Sequence, residues 1–329
     1  MHAPKFWAHG ADGIAARLLS PLGALYGLGT ALRIAWTTPW RAPIKVLSVG
    51  NLTAGGAGKT PVAIDLAGRL IGAGIETHFL TRGYGGRARG PKRVDPDRDT
   101  AERVGDEALL LAAVAPTWVG RDRAATARAA ATAGARALVL DDAHQNPGLI
   151  KDLSLVVVDG GFGFGNGRLV PAGPLRERVE VGLARAVAVV LLDDDTSGAG
   201  ALVRRLRPDL PIHPARFRHG PEADRIAGRN VVAFAGIARP EKFFETLRRA
   251  GADILHSQPF ADHHPYFPAE IDGLKARARA LDALLVTTAK DIVRLPPERR
   301  IGIEVLTITL QWDDEAAIER FLTPFRTAR

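Results

Sequence analysis

Residues 50–61 constrain this chain more than any others: Gly50-Asn51-Leu52-Thr53-Ala54-Gly55-Gly56-Ala57-Gly58-Lys59-Thr60-Pro61. The apolar run Lys45–Val49 leads into them, and a segment with the apolar stripe Val62, Leu66 and Leu70 leaves them. Strand, glycine-rich loop and helix in that order are the context a Walker A phosphate loop requires. Glycines let backbone N–H groups turn towards phosphate oxygens, and the N-terminus of the following helix adds a favourable dipole. Thr53 to Thr60 are therefore the candidate nucleotide-binding residues. Lys59 would pair with the β- and γ-phosphates, and the Thr60 hydroxyl would coordinate Mg²⁺. The usual first glycine of the motif falls on Thr53. Nucleotide binding follows, but not yet an activity. An acid at the end of a hydrophobic strand belongs on the metal side of such a loop. Leu138–Asp142, Leu155–Asp159 and Val189–Asp195 could each supply it, and spacing does not choose among them.

The remainder of the chain alternates apolar runs with alanine-rich helical stretches. Strands are expected at Lys45–Val49, Thr77–Thr81, Ala137–Leu140, Leu155–Val158 and Val187–Leu192, with helices starting near Thr60, Asp106 and Asp122. A second set follows the polar stretch His219–Arg229: strands at Val231–Ala235, Ala283–Thr287 and Val305–Ile308, and helices starting near Pro240, Pro268 and Asp314. This alternation predicts an α/β fold, a P-loop NTPase-like parallel sheet with a second, smaller α/β/α domain. A length of 329 residues suits about two domains. The expected division is an N-terminal helical segment (1–40), a nucleotide-binding catalytic domain (41–225) and a C-terminal domain closing the cleft (226–329).

Composition narrows the chemistry. The absence of cysteine excludes disulfides, thiolate metal sites and a cysteine nucleophile. The net charge of +8, mostly from arginine, favours anionic partners. No basic run is interleaved with aromatics, so nucleic acid is not an expected partner. No acidic residue occurs from Gly13 to Ile64, and Leu18 to Leu32 carries no charge. That uncharged run is shorter than the roughly 20 residues a spanning helix needs, and it contains Pro21, so a transmembrane helix is not expected. A secretory signal fits poorly with a nucleotide loop so close behind. A core helix is the plain alternative. The flanking Trp7, Trp36 and Trp40 and the arginines favour an amphipathic segment lying at the membrane interface.

Taken in order, several segments resemble the tetraacyldisaccharide 4'-kinase family of lipid A biosynthesis. They are Val49–Thr53 running into Gly58-Lys59-Thr60, Thr81-Arg82-Gly83-Tyr84-Gly85-Gly86, Val104-Gly105-Asp106-Glu107-Ala108, and Leu140-Asp141-Asp142 with Gln145. Gly165-Asn166-Gly167-Arg168-Leu169-Val170-Pro171-Ala172-Gly173-Pro174-Leu175-Arg176-Glu177 follows. The second half adds Phe234-Ala235-Gly236-Ile237-Ala238-Arg239-Pro240, Phe260-Ala261-Asp262-His263 and Thr287-Thr288-Ala289-Lys290-Asp291.

The resemblance implies transfer of the ATP γ-phosphate to the 4'-hydroxyl of an acylated glucosamine disaccharide 1-phosphate. It also implies two α/β/α domains with the site between them, and a peripheral position on the cytoplasmic face of the inner membrane. It implies Asp106 as the base, with His263 orienting or tuning it and His264 as a neighbouring rival. Asp141 and Asp142 would hold Mg²⁺, with Gln145 beside them. Tyr84 would meet the substrate, and Arg176 and Glu177 would reach the substrate or the ATP phosphates. Where the family's segment reads Leu-Asp-Asp-Gly-Phe-Gln-His, this chain has Ala143-His144-Gln145-Asn146 after its aspartates. Asn146 therefore takes the position of a family histidine, and His144 stands nearby. Lys290 and Asp291 are nucleotide-side or structural.

Three rival readings make different demands. A P-loop GTPase or metal-insertion NTPase needs an Asn/Thr-Lys-x-Asp segment, whereas Lys290 and Asp291 are adjacent. A soluble small-molecule kinase leaves the N-terminal apolar stretch without a purpose. A non-enzymatic, membrane-bound, nucleotide-dependent interaction module gives Asp106 and His263 no task.

Overall fold

A computed structural model describes residues 4–11, 13–237 and 240–326. Ala238 and Arg239 of the Phe234–Pro240 motif, and the first three residues and Asp12 of the expected N-terminal segment, lie outside the described residues.

The strands are β1 (Lys45–Gly50), β2 (Thr77–Thr81), β3 (Lys92–Arg93), β4 (Thr117–Val119), β5 (Ala137–Asp141), β6 (Leu153–Asp159) and β7 (Ala188–Leu192). They continue with β8 (Ile212–His219), β9 (Asn230–Ala235), β10 (Asp253–Pro259), β11 (Leu284–Thr288), β12 (Ile303–Leu306) and β13 (Ile308–Trp312). Nine of them form one sheet in the order β13-β8-β7-β6-β1-β5-β2-β4-β3. Its interior pairs are parallel, and β3 and β13 close the two edges antiparallel. A smaller, wholly parallel sheet has the order β10-β9-β11-β12.

The central strands read as unbroken apolar runs because helices cover both faces. The P-loop helix Lys59–Gly72 places Val62, Ala63, Leu66 and Leu70 in a core with Leu47, Val49, Val139 and Val157. The opposite face packs separately, around Leu52, Val156, Val158 and Leu183 and around Val46, Leu80 and Leu138. β1 is thus gripped in the middle of the sheet, and its carboxyl end delivers the phosphate loop into the crevice where such sheets bind ligands.

Two features depart from the expectations. Residues 226–329 do not form one unit, because the chain leaves the small sheet after β12 and returns as β13 beside β8. The helix Glu315–Arg326 then packs on the P-loop helix, where Arg69 reaches Glu315 (2.7 Å) and Glu319 (3.0 Å). An antiparallel strand on β8 covers a row of backbone groups that the parallel sheet would otherwise leave bare.

The second departure concerns the N-terminus. Pro21 does not interrupt it: Ile14–Trp36 is one 23-residue helix, long and apolar enough by length and composition to cross a membrane. Nor is it divided into an apolar and a polar face. At 100° per residue, Ile14, Leu18, Leu22, Leu25, Leu32 and Trp36 share an arc of about 80° that faces outward. Ala16, Gly23 and Gly27 lie opposite, within about 40°. They face the body of the protein, where a Cβ on Gly23 would come within 3.0 Å of the Leu169 carbonyl oxygen. The contrast is small against large, with large apolar side chains towards solvent.

Candidate active site

The phosphate loop is fixed by its neighbours. Gly58, at the mouth of the P-loop helix, has φ +82°, and a Cβ there would collide with Leu192 and Phe217. Glycine is therefore required for both conformation and space. Thr53 needs no such freedom, since it keeps a negative φ and bridges antiparallel to Leu175. Ala54 N–H donates to Pro174 O at 2.6 Å, and Arg176 N–H to Leu52 O at 2.8 Å. Residues 164–177 are thus knitted onto the loop, which explains why Thr53 replaces the expected glycine.

Lys59 and Thr60 meet the acids at the end of β5. The Thr60 hydroxyl donates to Asp141 Oδ2 at 2.8 Å, and Lys59 Nζ lies 3.9 Å from Asp142 Oδ1. Arg176 donates to the same Asp142 oxygen at 2.7 Å. Of the three strands that could supply the acid, β5 is the one whose aspartates are bonded to Thr60 and close to Lys59. Burial, then the neighbouring charges of Glu107 and Asp142, push the Asp141 carboxyl up to about 7 against Lys59 and the Thr60 hydroxyl. Burial acts the same way on Asp142, but Lys59, Arg176 and Arg123 outweigh it and hold that carboxyl below its ordinary value.

Asp141 Oδ1 is buried with no hydrogen-bond partner among the described residues. A bare carboxylate oxygen beside a threonine hydroxyl and a lysine suits Mg²⁺ shared with phosphate. Among the described residues no group of three or more His, Cys, Asp or Glu forms a closed metal cage.

A second cluster forms where the small sheet's lobe meets the large one. Asp106 begins the helix Asp106–Ala112, which lies against the P-loop helix. His263 Nδ1 is 2.9 Å from Asp106 Oδ2, the pairing expected across the cleft. Arg294 Nε (3.0 Å) and Nη2 (2.6 Å) donate to the same oxygen, and Lys290 Nζ stands 3.8 Å away. The other oxygen, Oδ1, accepts the Glu107 N–H at 2.9 Å. Burial opposes ionisation of Asp106, but the His263 hydrogen bond and the charges of Lys290 and Arg294 prevail, and the carboxyl is held far below its ordinary value. Tyr84 is exposed between two glycines, its ring 6.0 Å from that of His263. His264 turns away, stacks on Phe260 and bonds Glu270 at 2.8 Å.

Other expected contacts face inward. Glu177 is buried, and its carboxylate is taken by Arg185 (2.6 Å) and Gln145 Nε2 (2.9 Å), so it does not present itself to a substrate. Gln145 also donates to Asn51 O at 2.7 Å and so braces the phosphate loop from behind. The Asn146 side chain closes a local turn on Gly148 N–H at 3.0 Å. His144 does not substitute for a lost histidine: it is buried between Ser154 Oγ and Gly182 O, both at 2.9 Å. Two arginines escaped the sequence reading. Arg123 is buried beside Asp141 and Asp142, and burial lowers it to about 10. Arg294 lies three residues past Asp291, a helical spacing that could have flagged it.

Comparison with known proteins agrees along the whole chain. The family model described as "Tetraacyldisaccharide-1-P 4'-kinase" matches residues 15–326. The tetraacyldisaccharide 4'-kinase of Rhodospirillum centenum is 53% identical over 334 residues, covering 100% of this chain and 98% of that protein. The enzyme of the same name from Gluconacetobacter diazotrophicus is 55% identical over 322 residues, covering 98% and 97%. Among solved structures, the "apo" form of LpxK from Aquifex aeolicus in complex with ATP superposes with a TM-score of 0.74 at 22% identity. It covers 95% of this chain and 100% of that one, and at that identity it speaks for the fold.

Proposed function

The chain belongs to the tetraacyldisaccharide-1-P 4'-kinase family, and from that premise we propose that ATP sits on the phosphate loop while the acceptor sugar meets Asp106 and His263. The protein is an ATP-dependent kinase of lipid A biosynthesis, acting on the 4'-hydroxyl of a tetraacyldisaccharide 1-phosphate. In the reaction a bond forms between the 4'-oxygen and the γ-phosphorus, the γ-phosphorus bond to the β,γ-bridging oxygen breaks, and ADP leaves.

Residues Thr53–Thr60 cradle the phosphates, and Lys59 neutralises charge at the β- and γ-positions. Thr60 and Asp141, with Asp142 close by, hold Mg²⁺, which supplies further neutralisation of the phosphate oxygens when bound. Arg176 and Arg123 add positive charge on the same side. The hydroxyl proton passes to the Asp106–His263 pair. Asp106 is the base, and because each of its oxygens already accepts a hydrogen bond, one donor has to yield. His263, about a third exposed, is the donor at the open edge. Tyr84 stands at the same edge and meets the sugar.

The chain divides into the N-terminal helix, the large nucleotide-binding lobe and the smaller lobe that closes over it. The outward leucines and Trp36 seat the protein peripherally on the cytoplasmic face of the inner membrane, where the acylated substrate resides. The observation that carries this reading is the convergence of Lys59, Thr60, Asp141, Asp142 and Arg176 at one end of the sheet, with the helix that Asp106 begins lying against the P-loop helix and His263 bonded to Asp106. Purified protein supplied with Mg·ATP and the disaccharide 1-phosphate should place labelled phosphate on the lipid, and Lys59→Ala should lose at least about 100-fold of that rate. Unlabelled lipid with the native protein, or full transfer by Lys59→Ala, would overturn it.

A further inference from the structure

The motif Thr287–Asp291 finds no task in the chemistry above, yet its residues build one of the most fully bonded sites in the molecule. Asp291 is wholly buried. Its Oδ1 accepts from Tyr266 OH (2.8 Å), Gly236 N–H (3.0 Å) and Arg294 Nη1 (2.7 Å), and its Oδ2 accepts from the Thr288 hydroxyl (2.6 Å). Arg294 Nη1 also donates to Gly236 O at 2.7 Å. Gly236 directly follows β9 of the small sheet and Thr288 ends β11, so the guanidinium is set in place by that lobe alone. Its remaining donors, Nε and Nη2, cross the cleft to Asp106 of the large lobe. A buried arginine with Nη1 tied to Asp291 and Gly236 is held rigidly, and two donors converging on one carboxylate oxygen are a contact a lysine would not reproduce.

We infer that Arg294 is a positioning residue of the transfer reaction: preset by Asp291, it docks on Asp106 when the lobes meet and so makes the base's orientation and charge depend on closure. The inference rests on the reading of Asp106 as base. When His263 yields to the incoming hydroxyl, Arg294 and the Glu107 N–H keep the carboxylate in its place. The charged groups facing Asp106 are His263, Lys290 and Arg294, with Glu107 on its own helix. Asp262 lies behind His263 and Lys290, and Asp291 lies behind Arg294. Of these groups Arg294 alone brings two donors to the Asp106 carboxylate, so its loss should let Asp106 bind a proton at higher pH.

The test is steady-state kinetics of Arg294→Gln and Arg294→Lys across pH 5 to 9, beside native protein and Asp106→Asn. Arg294→Gln should lower kcat by about 100-fold with KM for ATP within about threefold, and its acid limb should move to higher pH. Arg294→Lys should recover part of the rate. Asp291→Asn provides a second variant that keeps the guanidinium but unseats it, and it should lose about tenfold in kcat with ATP affinity unchanged. Native-like kcat in Arg294→Gln, or a loss with an unmoved pH profile and no recovery by lysine, would overturn the inference. If Arg294→Gln does not fold, native kcat in Asp291→Asn overturns it. An inactive Asp106→Asn beside a normal Arg294→Gln sinks only the role of Arg294, whereas an active Asp106→Asn sinks the reading of the base.

Discussion

At the scale of single residues, environment decides which of several similar side chains can act. Asp141 and Asp142 are adjacent, yet one is buried with a bare oxygen and the other is paired with Arg176. His263 and His264 differ in the same way: one meets the cleft carboxylate and the other a helix-capping glutamate. His144 is the clearest example of a residue whose sequence position suggested chemistry but whose surroundings make it structural. Burial lowers it from 6.5 to about 4, with Arg185 adding to the effect. A histidine kept neutral in the fold but free to take a proton when unfolded contributes stability above its ordinary value of 6.5, and this is lost as pH falls towards 4. Denaturant unfolding at pH 7 and pH 4.5 should therefore show a pH-dependent loss smaller in His144→Gln than in the native protein, by about 2 kcal/mol. Equal losses in the two proteins would show that this histidine does not carry the effect.

At the scale of elements, the N-terminal helix does two things with its two faces. On its small side Ala16 is buried, and Gly23 and Gly27 lie against Leu169 in the segment that also bonds the phosphate loop. Arg33 adds a bond from the helix to Gln145 O at 3.3 Å, and Arg168 reaches back to Ser20 Oγ at 2.6 Å. The large side is left to whatever lies outside. Replacing Leu18, Leu22 and Leu25 together by serine should cut binding to anionic phospholipid vesicles at least about tenfold while leaving ATP affinity unchanged, since only the outward arc is altered. Flotation of vesicles with the bound protein measures this, and undiminished binding would show that the helix does not seat the protein on lipid.

At the scale of the whole molecule, two sheets bring distant residues together, and this was only partly legible beforehand. The phosphate loop and the central strands showed in the sequence because a strand buried on both faces is an unbroken apolar run. β8 was hidden because Arg216 and Arg218 alternate with Ala215 and Phe217 on a strand near the sheet's edge. β12 and β13 read as one strand because only Thr307 separates them, and no local signal says that the chain changes sheets there. The same limit applies to the site. Motif matches pointed to Asp106 and His263, but Arg294 is made functional by a cleft that local pattern does not describe, and Glu177 is turned inward by Arg185.

The account depends on a carboxylate that takes the acceptor's proton opposite an ATP-bearing loop. Single-turnover transfer from Mg·ATP to the disaccharide 1-phosphate by Asp106→Ala, with ATP binding measured on the same preparation, addresses this directly. The rate should fall by at least about 100-fold while ATP affinity stays within about threefold of the native value. Transfer at a near-native rate by Asp106→Ala would contradict the account.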